Sequence, residues 1–222
     1  MARRNDHSRD EIREMALAAA EEIVASQGME GLSARRVAQT IGYTVGTLYH
    51  VFANLDDLIL QLNGRTLDQL HRHMLEGVSP KASAYTTLQA LGDRYLQFAS
   101  EETHRWEMVF KHRLPEDRKA PVWLREKVSR TFALVETQLK ALAPHRQARE
   151  ITLAARALWG GVHGICILAL TGNLGIAGVD SVAYLTHSLM DNYLAGFMAS
   201  QSNGPAPGHN TTGERGMDDA NE

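Results

Sequence analysis

Residues 33–52 constrain the fold more than any other part of the chain. They read SARRVAQTIGYTVGTLYHVF, which divides into two short helical segments on either side of a glycine. Ser33 and Thr44 stand immediately before the two segments, where a hydroxyl can accept a hydrogen bond from a free backbone N–H of the first helical turn. Gly42 can adopt the positive φ with which many helices end. The segment therefore predicts two capped helices joined by a tight turn, which is the plan of a helix-turn-helix.

The N-terminal end of the second helix is where a helix-turn-helix meets the edges of DNA bases. Val45, Gly46 and Thr47 occupy that end. None of them is Arg, Asn or Gln, the side chains that contact a base through two hydrogen bonds. We therefore expect apolar contact, close backbone approach and a single hydroxyl hydrogen bond. Six further residues are candidates for phosphate contacts, which fix register rather than sequence: Ser33, Arg35, Arg36, Thr44, Tyr49 and His50.

The same two segments would also suit an ordinary helical core, and the pattern alone leaves that alternative open. The whole chain adds no basic signature, because its formal net charge is −3 at pH 7. A surface for nucleic acid must therefore be local. Six arginines near the N-terminus offer such a surface: Arg3, Arg4, Arg9, Arg13, Arg35 and Arg36.

The run from Gly42 to Phe52 resembles the DNA-binding signature of the TetR family of bacterial transcriptional regulators. Ten residues of this chain match the family pattern: Ser33, Arg35, Ala38, Gly42, Thr44, Gly46, Thr47, Leu48, Tyr49 and Phe52. The similarity extends over about residues 8–65, at the N-terminus, where this family has its DNA-binding domain. The resemblance implies an all-α protein, with an N-terminal three-helix helix-turn-helix DNA-binding domain and a C-terminal helical ligand-binding and dimerisation domain.

On this resemblance we expect a ligand-responsive transcriptional regulator rather than an enzyme. It would act as a repressor that binds a palindromic double-stranded DNA operator as a homodimer. Two positions depart from the family pattern, since many members have His where this chain has Val51 and Lys where it has Leu55. Leu55 cannot make a charge-assisted contact with a phosphate. These departures and the acidic net charge are the only support for the alternative, a helical small-molecule-binding protein without operator binding.

Caps, glycines and prolines divide the rest of the chain into further helices. Ser8 and Glu11 match a capping box, and Asn54 is placed to cap a fourth helix that runs to about residues 77–80. Apolar spacing then predicts two helices within 84–114, one over 122–143, and two long helices over about 146–171 and 181–199. The predicted domains are a flexible arm (1–7), the helix-turn-helix domain (8–53), the ligand-binding and dimerisation domain (54–200) and a disordered tail (201–222).

The last two helices are long and apolar, as a homodimeric four-helix interface requires. An intramolecular bundle is the alternative, and the family resemblance favours the dimer. Glycines within a helix cost about 1 kcal/mol each relative to Ala, so those at 160, 161 and 164 are typical of close approach by another backbone. Trp159, His163 and Gly164 also resemble the Trp-His-Gly motif after which one TetR subgroup is named.

Bulky aromatic residues of the middle helices are candidates for lining an effector cavity, with two histidines as candidates for its polar contacts. These residues are Tyr95, Phe98, Trp106, Phe110, Trp123, Trp159, His112 and His163. Plain core packing is the alternative for any one of them. As a set they favour an apolar or aromatic effector over a sugar or a nucleotide.

The sequence shows no pattern for a cofactor, a metal or a catalytic site. His71 and His73 are two residues apart on a predicted helix, so they do not share a face, and no Cys/His spacing suits zinc. Cys166 is the only cysteine, which fits a reducing cytoplasm and a buried structural thiol. The most apolar run, residues 157–171, is interrupted by His163 and is short for a membrane span. We therefore expect a core helix there and no membrane contact.

Overall fold

The described part of the chain is helical. In the computed structural model, which describes residues 7–115, 118–176, 178 and 181–199, those residues form no β-strand. The helices are α1 (Arg9–Gln27), α2 (Ala34–Thr40), α3 (Val45–Val51), α4 (Leu55–Leu75), α5 (Ala84–Glu101), α6 (Thr103–Lys111), α7 (Val122–Leu142), α8 (Ala148–Leu170) and α9 (Val182–Ala199). The all-α fold class predicted from the sequence is confirmed.

Side-chain caps determine where the first helices begin. Ser8 accepts a hydrogen bond from the backbone N–H of Glu11 at 3.2 Å, and its own N–H donates to the Glu11 carboxylate at 2.6 Å, so the predicted capping box is present. These bonds to Ser8 lower the pKa of the Glu11 carboxyl group. Ser33 and Thr44 cap α2 and α3 as predicted, each accepting from the backbone N–H three residues further on.

One predicted helix end is corrected by the structure. The fourth helix ends at Leu75 rather than near residues 77–80. Glu76 is already extended, with φ −65° and ψ 129°, and Gly77 has a φ of +75°, which favours glycine and turns the chain away from the helix axis. The predicted disordered tail (201–222) and all of the predicted flexible arm except His7 lie outside the described residues.

The N-terminal core lies between α1, α2, α3 and the first half of α4. Its largest fully buried side chains include Val24, Val37, Leu48, Phe52, Leu58 and Leu62. Leu48 and Phe52, which the sequence places on the inner face, are each 1% exposed. Helices α2 and α3 have only seven residues each. Helices this short are unstable alone, so packing in this core maintains them.

The C-terminal core joins the second half of α4 to α5, α8 and α9. Its buried side chains include Leu70, Leu88, Leu91, Leu158, Met190 and Leu194. Helix α7 lies on the outside of this core, and Leu139 is the only buried residue among its 21 described residues. The other α7 residues are half-buried or exposed, so α7 encloses the core less tightly than α8, which has seven buried residues.

The glycines of α8 have different surroundings. A Cβ atom at Gly161 would lie 2.6 Å from Cδ2 of Leu189 in α9, so this glycine makes room for a side chain. The sequence-based prediction of close approach by another backbone is therefore wrong at Gly161. A Cβ atom at Gly160 or Gly164 would meet no atom within 4 Å. One edge of α8 is therefore packed on α9, and the edge with Gly160 and Gly164 is open.

Replacing Ser8 by Ala removes the side-chain half of the capping box. We expect Ser8→Ala to destabilise the protein by about 1 kcal/mol and to lower its thermal midpoint by roughly 2–4 °C, measured by circular dichroism. Ser26→Ala is the matched control, because the Ser26 hydroxyl only donates to the backbone carbonyl groups of Glu22 and Ile23 at the other end of α1. Equal losses in both variants would contradict the stabilising role of the cap.

Candidate nucleic-acid interface and internal cavities

The N-terminal end of α3 presents two linked hydroxyl groups. The Thr44 hydroxyl accepts a hydrogen bond from the backbone N–H of Thr47 at 3.1 Å and lies 3.0 Å from the Thr47 hydroxyl. Gly46 is exposed, and a Cβ atom there would touch only the Thr44 hydroxyl, at 3.6 Å. Val45 is half-buried against the N-terminal core. This end of α3 therefore has the small, open surface on which the predicted base contacts depend.

The predicted phosphate-contact residues surround this surface. They differ in exposure and in whether their side chains already form internal hydrogen bonds. Tyr49 is 46% exposed, and His50 and Arg35 are also exposed. The Arg36 guanidinium instead contacts the side chain of Gln27, and the Ser33 hydroxyl caps α2. Contacts of Ser33 and Arg36 with a phosphate therefore require these internal hydrogen bonds to be shared or exchanged.

The two departures from the family pattern both occupy packed positions. Val51 is 4% exposed in the N-terminal core, and its carbonyl group accepts a hydrogen bond from Arg13 at 3.3 Å. Leu55 is half-buried and packs against the same core. Asn54 caps α4 by accepting from the backbone N–H of Asp57 at 2.8 Å. Leu55 therefore has a packing role at the start of a helix that is capped by its neighbour.

An apolar cavity of about 140 Å³, which we call the outer cavity, lies beneath α7. Five helices contribute its lining residues: Leu67, Leu70 and Met74 from α4, Tyr95 from α5, Val109 and Phe110 from α6, Val128, Thr131, Phe132 and Val135 from α7, and Trp159 from α8. No charged side chain is among these described residues. The cavity therefore suits an apolar group.

A second, smaller space of about 50 Å³, the inner cavity, lies deeper in the C-terminal core. It is lined by Met74, Leu88, Leu91, Gly92, Tyr95, Val135, Leu158, Trp159, Val162 and Met190. Four of these residues also line the outer cavity, so the two spaces are neighbours on opposite sides of the same side chains.

His163 is enclosed by an aromatic box made of Tyr95, Trp106, Phe110 and Trp159. The imidazole centroid lies 4.5 Å from that of Phe110 and 4.9 Å from those of both Trp106 and Trp159. The Trp159 N–H donates to the Tyr95 oxygen at 3.3 Å, and the Tyr95 oxygen is 2.8 Å from Nδ1 of His163. Burial lowers the pKa of His163 and raises that of Tyr95. In this arrangement the Trp159 N–H donates to the Tyr95 oxygen, and the Tyr95 hydroxyl donates to Nδ1 of a neutral His163.

Five of the eight predicted effector-site residues come together at these cavities. Tyr95, Phe110 and Trp159 line the outer cavity, and Trp106 and His163 support them from the aromatic box. The aliphatic part of the lining, such as Leu67 and Val128, is absent from the sequence prediction. Only the 3.6-residue spacing of α4 and α7 indicates these residues, and that spacing also describes an ordinary core.

The other three predicted residues lie elsewhere. Phe98 is 4% exposed and packs against the His73 ring, with 5.6 Å between centroids. His112 follows the end of α6 and is 3.0 Å from the Asp56 carboxylate. Trp123 lies over Gly64 on the outer side of α4, where a Cβ atom at Gly64 would be 2.7 Å from its ring. The structure therefore does not place Phe98, His112 or Trp123 at the cavity.

Helix α8 combines apolar character with burial. Cys166 within it is 2% exposed, and burial raises the pKa of its thiol to about 12, as expected of a structural cysteine. Among the described residues, α8 is the one helix whose length and composition would allow a membrane span. A third of its apolar window is buried, and α7 and α9 pack against it. Helix α8 is thus packed on its inner face and exposed on its outer face.

Sequence comparison matches both halves of the chain to models of one family. Residues 16–62 match the model described as bacterial regulatory proteins of the tetR family, and residues 88–193 match the tetracyclin repressor-like C-terminal domain. No curated protein sequence matches the chain. A helix-turn-helix joined to a helical domain with an apolar cavity defines a DNA-binding regulatory protein rather than an enzyme. The chain belongs to the TetR family of bacterial transcriptional regulators.

Solved structures share this fold at low sequence identity. A protein of unknown function from Rhodococcus sp. RHA1 has a TM-score of 0.70 and 19% identity, covering 88% of this chain and 98% of its own. A TetR-family transcriptional regulator from Streptomyces coelicolor has a TM-score of 0.61 and 19% identity, covering 86% and 81%. The regulator FadR from Bacillus subtilis, in complex with stearoyl-CoA, has a TM-score of 0.55 and 18% identity, covering 82% and 98%.

Replacing Thr47 by Ala removes one hydroxyl from the exposed end of α3 and leaves the Thr44 cap in place. We expect Thr47→Ala to weaken binding to DNA from upstream of the protein's own gene by about three- to tenfold, the effect of one hydrogen bond. Fluorescence anisotropy over a salt series measures this, and the salt dependence should stay unchanged because no phosphate contact is lost. Thr137→Ala, an exposed threonine in α7, is the control. Unchanged affinity in a folded Thr47→Ala protein would exclude Thr47 from the interface.

Proposed function

We propose that this regulator is a cytoplasmic, homodimeric repressor whose operator binding is relieved by an apolar small molecule in the outer cavity. In this proposal residues 8–53 contact DNA through the surface around Val45, Gly46 and Thr47, and residues 54–200 hold the effector and the dimer interface. The observation on which the proposal rests is that one short helix, α6, is shared by both cores.

Helix α6 has two opposite faces in two different environments. Residues two apart on an α-helix point about 200° apart, and Trp106 and Met108 are such a pair. Trp106 is 1% exposed in the C-terminal core, and Met108 is 2% exposed in the N-terminal core. Phe110, one turn after Trp106, reaches the outer cavity. An effector that displaces Phe110 therefore acts on a helix whose other face is part of the DNA-binding domain.

Both ends of α6 are also attached to the DNA-binding half by polar contacts. Near its start, Nδ1 of His104 lies 2.9 Å from the carbonyl oxygen of Ala25 in α1. Just beyond its end, Nε2 of His112 lies 3.0 Å from the carboxylate of Asp56, in the first turn of α4. The His112 side chain is only 8% exposed, so its contact with Asp56 is largely shielded from water. A shift of α6 would therefore move the start of α4 and the end of α3 beside it.

The open faces of α8 and α9 support the proposed dimer. An open groove of about 580 Å³ lies between these helices, and Leu153 and Ala157 are among its lining residues. Leu153 is 60% exposed and Tyr184 is 75% exposed, although both are large and apolar. The open edge of α8 at Gly160 and Gly164 continues this surface. A second copy of the chain would cover these side chains and complete a four-helix interface.

A dimer gives the regulator its operator geometry and its response. Two recognition helices would enter successive major grooves about 34–36 Å apart on a palindromic site. An effector that favours a different separation of the two α3 helices lowers DNA affinity, and DNA lowers effector affinity by the same factor. The Bacillus subtilis FadR structure, which contains stearoyl-CoA, supports an apolar effector for a chain with this fold.

The dimer is tested by placing a charge on its proposed interface. We expect Leu153→Asp to shift the protein from dimer to monomer in sedimentation and to reduce operator affinity at least tenfold, because a carboxylate would be desolvated at the interface. Val122→Asp is the matched control, since Val122 is also 60% exposed but lies on α7, away from this face. A Leu153→Asp protein that stays dimeric would contradict the assigned interface.

The contact between α6 and α4 is tested by a double-mutant cycle. We expect His112→Ala and Asp56→Ala each to change operator affinity by about three- to tenfold and the double variant to change it no further, because both remove the same coupling. His187→Ala is the matched control, since His187 makes a similar contact with Asp93 at 2.8 Å within the C-terminal domain. Additive effects of the two substitutions would show that the contact does not link the domains.

A further inference from the structure

Four side chains form a shared wall between the outer and inner cavities: Met74, Tyr95, Val135 and Trp159. The outer cavity is the nearer of the two to solvent, because its lining residues Phe110 and Val128 are 36% and 37% exposed. The six inner-cavity residues outside this wall are all buried, and Leu91 and Met190 among them are 3% and 2% exposed. A molecule that enters from outside therefore reaches the outer cavity first and the wall next.

Three of the wall side chains are fixed. Tyr95 is held by its contacts with His163 and Trp159, and the Trp159 ring also packs against the His163 ring, with 4.9 Å between centroids and an interplanar angle of 32°. Val135 is β-branched and therefore stiff about χ1. Met74 is unbranched, makes no hydrogen bond through its thioether and can change rotamer within the core. Rotation of Met74 is thus the simplest way to join the two cavities.

The size and polarity of the joined space select the shape of an occupant. The outer cavity alone is close to the roughly 150 Å³ that holds a benzene-sized molecule. The inner cavity adds about 50 Å³ on the far side of the four shared side chains, which is room for about two more carbon atoms and too little for a second ring. Neither lining contains a charged side chain among the described residues, and the Tyr95 hydroxyl is already paired with His163.

We propose that the effector cavity binds an unbranched alkyl chain, which passes Met74 and ends in the inner cavity. This inference rests on the proposed effector function and specifies the chemical class of the ligand. The polar end of the molecule stays near Phe110 and Val128, where solvent is close. The inner cavity then determines which chain lengths bind most tightly.

The far end of the inner cavity offers a specific test at Gly92. A Cβ atom on Gly92 would lie 2.7 Å from Sδ and 3.3 Å from Cε of Met190. Because a methionine end is flexible, Gly92→Ala displaces this thioether into the inner cavity and does not alter the outer one. Alanine also favours a helix more than glycine does, so the variant should remain folded within α5.

The experiment titrates the full chain with hexanoate, octanoate and decanoate, below their micelle concentrations, and measures calorimetric binding without DNA. We expect affinity to rise about three- to fourfold per methylene until the inner cavity is filled. Gly92→Ala should leave hexanoate binding within about twofold and weaken decanoate about tenfold, as expected if two methylenes are excluded. Val128→Ala, in the outer cavity, is the control and should weaken all three chains by a similar factor.

Three results would overturn the proposal: no binding of any chain, affinity independent of chain length, or an equal effect of Gly92→Ala on short and long chains. A parallel titration with operator DNA separates this inference from the proposed function. Length-dependent binding that leaves operator affinity unchanged would support the alkyl-chain site and contradict the effector role. Operator release by a molecule without an alkyl chain, with no binding of the three carboxylates, would support the effector role and overturn the alkyl-chain site.

Discussion

The packing of α6 between two cores is the constraint on which the rest of the structure depends. This helix has nine residues, from Thr103 to Lys111, so it is too short to bend and moves as a unit. Met108 on one face and Trp106 on the other are both almost completely buried. A close-packed interior transmits displacement because it has few voids to absorb it. The two halves of the chain are therefore linked through Trp106 and Met108 on one short helix, and not through a flexible connector.

Helix α4 provides the second link, and its polar contacts show which neighbours it follows. Arg65 contacts Glu14 and Glu21 of α1, and one turn later Asp68 contacts Lys127 and Arg130 of α7. Partly exposed ion pairs of this kind contribute little to stability. Their opposite attachments nevertheless position α4 between the DNA-binding half and the helix that covers the outer cavity. These ion pairs therefore contribute more to the orientation of α4 than to the stability of the fold.

The sequence predicted the DNA-binding half well because its signals are local. Ser8, Ser33 and Thr44 determine helix starts through bonds within three residues. The lining of the outer cavity depends on contacts between distant residues, which the sequence pattern specifies less well. Aromatic character selected Trp159 and Trp123 equally, yet only Trp159 lines the cavity. The side of α4 on which α7 places Trp123 depends on tertiary packing, and no property of the residue itself specifies it.

The arrangement of rigid and flexible side chains explains how a tightly packed protein can still contain a responsive site. Burying the polar atoms of Tyr95 and His163 would be costly if they were unpaired, but each satisfies the other at 2.8 Å. This pair, which packs among the aromatic rings of Trp106, Phe110 and Trp159, forms a rigid side of the cavity. Met74 and Met190 provide thioethers that can yield at low cost. In the proposed mechanism, a ligand that displaces only the methionines leaves Tyr95 and His163 in place, so the remaining force would fall on Phe110 and hence on α6.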